Sequence, residues 1–335
     1  MAEAIAALLF AGVTAYAVFG GADFGAGFWD LVAGGAERGE RPREVIDHSI
    51  GPVWEANHVW LIFVFVVLWT GFSEAYASIT LTLFVPLTLA AFGIVLRGSS
   101  FAFRKTVFRT RDRRSFGAAF ALSSVLVPYC LGAIAGAIAS GRVPAGGVAG
   151  DPWDSWVNPT SVLGGVLAVM VVAYLGAVYL VWDSRRLGDQ AMVTYFGRRA
   201  VAAAVGAGVT ALVGIFVLRD DARYLFDELT TKGLPLVLVS AACGTASLVL
   251  LARHAQHWAR LLAIGAVATI VIGWGVAQWP YILPETLEVD DAAAPSGTLS
   301  ALLVAAAGAA VIVVPSFALL YTLDQKSLLP DEGVD

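Results

Sequence analysis

Apolar runs long enough to cross a lipid bilayer recur along the whole of this chain. A spanning α-helix needs about 20 mostly apolar residues. Charged residues make up only 14% of the chain, whereas soluble domains carry about 25%. The sequence therefore predicts an all-α integral membrane protein with nine transmembrane helices. The predicted ranges are 4–32, 52–72, 75–97, 116–139, 160–182, 199–218, 234–252, 260–280 and 298–322.

The distribution of basic residues predicts the orientation of these helices. If the N-terminus lies outside, 17 of the 21 Lys and Arg residues fall on the cytoplasmic side. Because cytoplasmic connections carry an excess of Lys and Arg, the chain is predicted to be N-out and C-in. The densest stretch runs from Arg97 to Arg114, and we interpret it as a topology anchor near anionic lipid. The predicted cytoplasmic segments are 33–51, 97–115, 183–198, 253–259 and the C-terminal tail.

A polar cluster opens the second predicted helix. Residues 50–61 read IGPVWEANHVWL and place Glu55, Asn57 and His58 at the mouth of an apolar helix. Such groups are costly at membrane depth and therefore indicate function. Glu55 and His58 can share a helix face, and both can exchange protons. In the structural alternative, the positive end of the helix stabilises Glu55, and His58 is a surface or helix-cap residue.

A second acid, Asp23, lies inside the first predicted helix among the glycines Gly20, Gly21, Gly25 and Gly27. At 1.5 Å per residue it is about 28 Å from the outer start of that helix, in the cytoplasmic part of the bilayer. A carboxylate there must face a partner, water or another subunit. Asp23 is either a station in a proton route or an acid bonded to backbone at a helix end loosened by glycine.

The remaining reactive residues argue against several classes of enzyme. Cys130 and Cys243 both fall in apolar runs and are expected to be small buried hydrophobes. The four His residues lie in loops or at helix mouths, so haem ligands at membrane depth are not expected. His254 and His257 lie among basic residues, and we expect no metal there. The sequence also lacks a C-x-x-C-H motif, a phosphate-binding loop and a nucleophile elbow.

Several short blocks follow one another in an order typical of a known family. They are Gly21–Gly27 (GADFGAG), the block 50–61, Arg97 with Phe101 and Arg104, Asn158-Pro159, Trp279-Pro280 with Pro284, and 315–321. The chain resembles subunit II of the cytochrome bd-type quinol oxidases over nearly its whole length. The block 50–61 is similar to the specific family pattern I-x-P-x-W-[DE]-x-N-x-V-W-L. The chain departs from the usual family residues at Gly20, Ala56 and His58.

The resemblance implies a fold and a set of partners. Two four-helix bundles, residues 1–139 and 140–280, would be followed by an outer loop, a peripheral ninth helix and a short tail in 281–335. The partner would be a similarly folded subunit I that carries haems b and d, with a small accessory subunit in some complexes. The complex would oxidise quinol and reduce dioxygen to water in a bacterial or archaeal cytoplasmic membrane.

The resemblance also assigns roles within this chain. Subunit II would bind no haem, would hold a quinone as a structural lipid, and would line a proton path from the cytoplasm. The acid that subunit II contributes to that path in the family corresponds to Glu55, with Asp23 and His58 as further candidates. The matched blocks make five more residues candidates for supporting or interface positions: Trp54, Asn57, Trp60, Arg97 and Arg104.

Two other classes of protein fit nine helices with intramembrane acids. A proton-coupled secondary transporter usually has discontinuous helices with polar residues near the midplane, whereas the polar residues here are predicted at cytoplasmic helix ends. A purely structural membrane scaffold would need no proton path. Co-purification separates the first class from an oxidase, because an oxidase subunit brings a haem protein with it.

Overall fold

The computed structural model describes residues 1–50, 54–106, 110–253 and 256–325, and this part of the chain is almost entirely helical. The helices are α1 Ala2–Leu31, α2 Ala36–Ile50, α3 Trp54–Asn57, α4 Val59–Gly71, α5 Ser73–Thr82, α6 Phe84–Thr106, α7 Thr110–Ala139, α8 Pro159–Arg186, α9 Gln190–Asp221, α10 Arg223–Thr230, α11 Leu234–Ala252, α12 Gln256–Gln278 and α13 Ser296–Gln325. One antiparallel hairpin, β1 Tyr281–Leu283 and β2 Leu287–Glu288, separates α12 from α13.

Seven of the described helices are individually long and apolar enough to cross a membrane: α1, α7, α8, α9, α11, α12 and α13. The helices α4 and α5 reach that standard only together, and they are bent by 119°. The apolar part of α6, Phe84–Ser100, is shorter. The chain is thus an all-helical, multi-pass membrane protein. The count of nine spans stays a prediction, because it requires α4 and α6 to cross as short helices.

The third predicted helix, 75–97, is divided between two helices of the structure. Its first part, from residue 75, belongs to α5, and the long helix α6 begins only at Phe84. Phe72 has non-helical backbone angles (φ −140°) and ends α4. The short helix α5 that follows carries Ser, Glu, Tyr and Thr side chains. The segment 97–115, predicted as a cytoplasmic connection, begins inside α6, which contains Arg97 and continues to Thr106.

The second predicted helix is also interrupted. A turn at His58 separates the short helix α3 from α4. The first predicted helix, by contrast, is continuous through its glycines. Cys130 and Cys243 are both free thiols; Cys130 is buried, as expected, whereas Cys243 is only partly buried.

Helix α1 is the centre of the packing and contacts α4, α7, α8 and α12. Gly25 of α1 and Gly176 of α8 bring these two backbones into direct contact. A Cβ atom on Gly25 would overlap the carbonyl group of Val172, and one on Gly176 would overlap the backbone of Gly25. Small residues allow helices in a membrane to approach this closely. The close crossing fixes the height of Asp23 relative to α8.

The two ends of the bundle differ, and we name them by their elements. The α2 end contains α2 and the last turn of α1, where Arg43 of α2 pairs with Asp30 at 2.7 Å. The hairpin end contains β1, β2 and α5, and there the amide of Ala294 donates to the carbonyl oxygen of Gly71 at 2.9 Å. Helices α9, α11 and α13 lie at the periphery with mostly exposed apolar side chains. Such faces suit contact with lipid or with another membrane subunit.

Candidate functional site

The predicted acid Asp23 is buried in the interior of α1, eight residues before the last residue of that helix. Its carboxylate accepts a hydrogen bond of 2.6 Å from the side-chain amide of Asn57. Asn57 is itself fully buried, and its amide also lies 3.4 Å from the carbonyl oxygen of Phe19. The structure therefore brings together two residues that the sequence placed in separate helices.

The third member of this site is Arg97, which is 1% exposed. One guanidinium nitrogen donates to the backbone oxygen of Asp23 at 2.9 Å, and Nε donates to the hydroxyl of Ser124 at 3.1 Å. The guanidinium carbon lies 4.9 Å from the ring centre of Phe24 and 4.8 Å from that of Phe120. Cation–π contact of this kind offsets part of the cost of desolvating the guanidinium.

The carboxylate and the guanidinium do not form an ion pair. Among the residues that the structure describes, Asn57 is the donor to the Asp23 carboxylate, and Arg97 bonds the main-chain oxygen of Asp23 instead. The positive charge is close enough to attract a carboxylate, but it does not hold the oxygens directly. A proton can therefore be added to this carboxyl group without first breaking a salt bridge.

Two further groups that can exchange protons lie beside this site. The hydroxyl of Tyr16 and Nδ1 of His58 are 3.4 Å apart, within reach of a hydrogen bond. The imidazole also packs edge-on against Phe24, with ring centres 6.0 Å apart. His58 occupies the N-cap position of α4 without a side-chain cap bond. We call Asp23, Asn57, His58, Tyr16, Arg97 and Ser124 the Asp23 cluster.

An aromatic group adjoins the cluster on α4. The indole of Trp60 stacks on Phe19 at 6.4 Å and lies 5.7 Å from the ring of Phe317 in α13. Its Nε1 is buried and has no hydrogen-bond partner within the described part of the chain. Such a donor is available to a carbonyl acceptor that enters from outside.

Three predicted site residues are only partly covered by the structure. Trp54 and Glu55 belong to α3, and Arg104 belongs to α6. Their side chains lie outside the described residues. The side chains of His254 and His257, where we expected no metal, likewise lie outside the described residues. His48 is exposed on α2. Across the described ranges, no group of three or more His, Cys, Asp or Glu side chains could hold a metal ion.

The sequence left four residues of this environment unassigned: Tyr16, Phe24, Phe120 and Ser124. Tyr16 lies seven residues before Asp23, which puts both on one face of a helix after two turns. The pair Ser123-Ser124 interrupts an apolar run in α7. The helical spacing of Tyr16 and the polar serine pair could therefore have been recognised in the sequence. The aromatic contacts of Arg97 had no comparable signal, because they join three different helices.

These features define a class of protein, a multi-pass helical membrane protein with a buried carboxylate that is bonded by an amide and has a buried guanidinium bonded to its main chain. Residues 1–324 match the family "cytochrome bd terminal oxidase subunit II". The chain belongs to that family, which confirms the resemblance seen in its motifs. Members of the family are subunits of a terminal oxidase complex, and that complex is an oxidoreductase.

Individual relatives agree with this assignment. The chain is 24% identical over 349 residues to cytochrome bd-I ubiquinol oxidase subunit 2 of Escherichia coli (strain K12), covering 92% of this chain and 88% of the relative. It is 22% identical over 271 residues to cytochrome bd ubiquinol oxidase subunit 2 of Bacillus subtilis (strain 168), covering 80% and 77%. A chain of the bd oxidase from Geobacillus thermodenitrificans superposes with a TM-score of 0.80 at 26% identity, covering 96% and 98%.

Proposed function

We propose that this chain is the non-haem subunit II of a bd-type quinol:dioxygen oxidoreductase. It supports a haem-bearing subunit I and lines a proton path that starts in the cytoplasm. The family match and the relatives named ubiquinol oxidase subunit 2 support the quinol reaction. The observation that carries the proton role is the buried Asp23 carboxylate, which is held by a neutral amide. Haems b and d belong to the partner subunit.

The orientation follows from the basic residues. With N-out and C-in topology, the α2 end faces the cytoplasm and the hairpin end faces outside. The relatives are bacterial, and a respiratory oxidase of this kind works in the cytoplasmic membrane. The nine helices divide into two four-helix bundles, 1–139 and 140–280, with 281–335 supplying the peripheral ninth helix.

Reduction of dioxygen to water consumes protons, which must cross part of the low-dielectric interior to reach the haems. A carboxyl group serves as a relay if it can take up and release a proton with modest changes in its surroundings. Asp23 meets this condition, because Asn57 can stabilise either form while Arg97 remains bonded to Ser124 and to the main chain. A structural ion pair would fix the charged form instead.

The entrance of the path is assigned to α3 and the turn that follows it. Glu55 comes two residues before Asn57, and His58 comes directly after it. Glu55 takes a proton from the cytoplasm and passes it towards Asp23. His58, with Tyr16 3.4 Å away, is a second exchange point beside the carboxylate.

The partner is assigned to the side formed by α4 and α6. Both helices reach into the Asp23 cluster and also expose large apolar side chains: Ile62, Trp69, Phe92 and Val95 are each more than 60% exposed. A proton taken from Asp23 then crosses a short distance into subunit I. Trp54 and Arg104 support this interface from the ends of the same segments. A small accessory subunit is compatible with this arrangement.

A structural quinone is assigned to the aromatic group around Trp60. Phe19 and Phe317 offer flat apolar faces, and the unpartnered Nε1 of Trp60 can donate to a quinone carbonyl. This quinone would be a permanent lipid of the complex, separate from the quinol that is oxidised in subunit I.

The test uses the complete oxidase complex, purified after co-expression of this chain with its subunit I. Asp23→Asn and Glu55→Gln each remove one titratable carboxyl group, and Glu55→Asp keeps it. Glu37→Gln, an exposed acid on α2 at the same end, is the matched control. Haem content is read from the visible spectrum, and oxygen consumption with quinol is measured across a pH range.

A relay predicts full haem content in all four variants. Oxygen reduction is slowed, with an altered pH dependence, in Asp23→Asn and Glu55→Gln, while Glu55→Asp and Glu37→Gln stay near wild type. Full turnover of both Asp23→Asn and Glu55→Gln over the whole pH range would exclude the proton relay and favour a purely structural role for this chain. Purification of the chain without any haem protein would reject the oxidase assignment in favour of a transporter.

A further inference from the structure

A groove outside the Asp23 cluster lies between α1, α8 and α9 and has a volume of about 500 Å³. Its walls are mainly apolar, with Phe28 and Trp29 from α1 and Met170 from α8. Arg198 and Arg199 line it from α9. A mainly apolar groove lined by two arginines is amphipathic, as a phospholipid is.

The arginine pair lies at the depth of the lipid headgroups. Residues 200–218 of α9 are all uncharged, and the next charged residue is Arg219. At 1.5 Å per residue, Arg199 and Arg219 are about 30 Å apart along the helix, which matches the thickness of the hydrocarbon layer. Arg198 and Arg199 therefore meet the phosphate level of the leaflet at the α2 end.

No acidic residue in the described part of the chain pairs with either arginine. Arg198 is exposed and makes no hydrogen bond or ion pair with any described residue. Arg199 lies over the ring of Tyr195 at 3.3 Å and donates to the backbone oxygen of the same residue at 3.2 Å. These contacts hold the guanidinium of Arg199 in place without cancelling its charge. The buried hydroxyl of Tyr195 has no partner within the described ranges.

The floor of the groove is held by contacts between α1 and α8. The indole of Trp29 donates to the carbonyl oxygen of Ala173 at 2.7 Å and is buried. Nearby, the Gly25–Gly176 crossing holds α1 against α8. A preformed site loses little conformational freedom when it is filled. The groove thus differs from a general basic surface, which attracts anionic lipid without a defined position.

We propose that this groove binds one anionic glycerophospholipid from the leaflet at the α2 end. Its phosphate accepts hydrogen bonds from Arg198 and Arg199, whose planar forks match phosphate geometry. One acyl chain lies along Phe28, Met170 and Ala202. The occupant is a membrane lipid because the cationic and apolar parts of the site follow the bilayer normal.

The test measures retention of added lipid by the purified oxidase complex with native mass spectrometry. The probes are dioleoyl phosphatidylglycerol and dioleoyl phosphatidylcholine, which share acyl chains and differ in net charge. Arg198→Gln removes the exposed cation, and Ala202→Trp fills the groove at an exposed lining residue. Arg219→Gln and Val209→Trp are matched controls on the same helix, both at exposed positions.

The wild-type complex and both controls should retain one phosphatidylglycerol more than the two groove variants. The apparent dissociation constant of that lipid should rise roughly fivefold in Arg198→Gln, and phosphatidylcholine should not replace it. Equal retention by Arg198→Gln and wild type, equal loss in Arg219→Gln, or equal retention of phosphatidylcholine would each overturn the proposal. Arg198→Gln decides the matter even if Ala202→Trp does not assemble, since Arg198 is exposed.

Discussion

Two sites in this molecule combine a carboxylate with an arginine, and they are built in opposite ways. At the hairpin end, the carboxylate of Asp221 accepts hydrogen bonds from the two terminal guanidinium nitrogens of Arg142, at 2.6 and 3.1 Å. It also accepts one from the hydroxyl of Thr160 at 2.6 Å. We call these three residues the Asp221 clamp. In the Asp23 cluster the carboxylate binds the amide of Asn57, while the arginine binds elsewhere.

Under the proposed function, the difference distinguishes a structural ion pair from a site of proton exchange. The Asp221 clamp joins the loop after α7 to the start of α8 and the end of α9, and a bidentate ion pair with an extra donor stabilises the charged carboxylate. Asp23 is more deeply buried, yet it has no such pair with any described residue. Placing a carboxylate at depth without a direct counter-ion is costly, and the proposed proton relay would account for that cost.

Loss of the buried guanidinium should have the largest effect. Arg97→Met leaves the backbone oxygen of Asp23 and the hydroxyl of Ser124 without their donor, at about 1–3 kcal/mol for each unsatisfied buried group. Arg142→Met at the clamp should cost less, because the clamp is partly exposed and water can replace the lost donors. The measurement is the yield of haem-containing complex after detergent extraction. Equal yields of the two variants would show that the cluster is no more structural than the clamp.

The two carboxylates should respond differently to the same isosteric change. Asp221→Asn breaks the ion pair with Arg142, and hydrogen bonds to charged groups are worth about 1.5–3 kcal/mol. Asp23→Asn keeps an oxygen that can accept from Asn57, so stability should change little while turnover falls. Thermal inactivation curves and oxygen consumption of both variants test this. A large loss of thermal stability in Asp23→Asn would show that Asp23, like Asp221, has a structural role.

The hydroxyl groups that support each arginine or carboxylate should give smaller effects. Ser124→Ala removes the acceptor for Nε of Arg97, and Thr160→Val removes a donor to Asp221. Each change should lower stability by about 0.5–1.5 kcal/mol, the net value of one hydrogen bond. Turnover should fall only in Ser124→Ala, because only Arg97 adjoins the relay. Denaturation of the purified complex and its turnover at fixed pH measure the two effects.

A third carboxylate, Asp189 in the aqueous region at the α2 end, should contribute to the pH dependence of the protein's stability. Burial alone would raise the pKa of Asp189, but the amide of Met192 and the guanidinium of Arg41 outweigh it and hold the pKa below its usual value. Because its folded-state pKa is depressed, the stability it contributes is present above about pH 4 and is lost as the pH falls further. Asp189→Asn should therefore narrow the stability difference between pH 6 and pH 3.5. An unchanged difference would contradict this.

The sequence predicted the long helices well, because a run of more than 20 apolar residues leaves few alternatives in a membrane. It also selected Asp23, Asn57 and Arg97 as candidates. It did not predict that they touch, since α1, α3 and α6 meet only through tertiary packing. Arg97 shows the reason most clearly. Its charge suggested a helix end, but Phe24, Phe120 and a buried carbonyl oxygen stabilise it inside α6.

The shorter elements were harder to predict. Polar helix α2 lies in a segment expected only as a cytoplasmic connection, although Val45 and Ile46 are buried against the core. The break at Phe72 divides one apparent apolar stretch into α4 and α5. Local composition does not reveal such a bend, because its partners are the loop at Ala294 and the core of the hairpin end.

The short length of α4 has a consequence for the lipid phase. Its 13 residues span about 20 Å, against a hydrocarbon layer of about 30 Å, and Asn57 and His58 lie directly before its first residue. Hydrophobic mismatch of this size is relieved by thinning of the bilayer. Water should then form a recess beside α4, so that protons enter near Asp23 through solvent. Turnover in vesicles should accordingly fall as the acyl chains are lengthened, because a thicker membrane closes that recess.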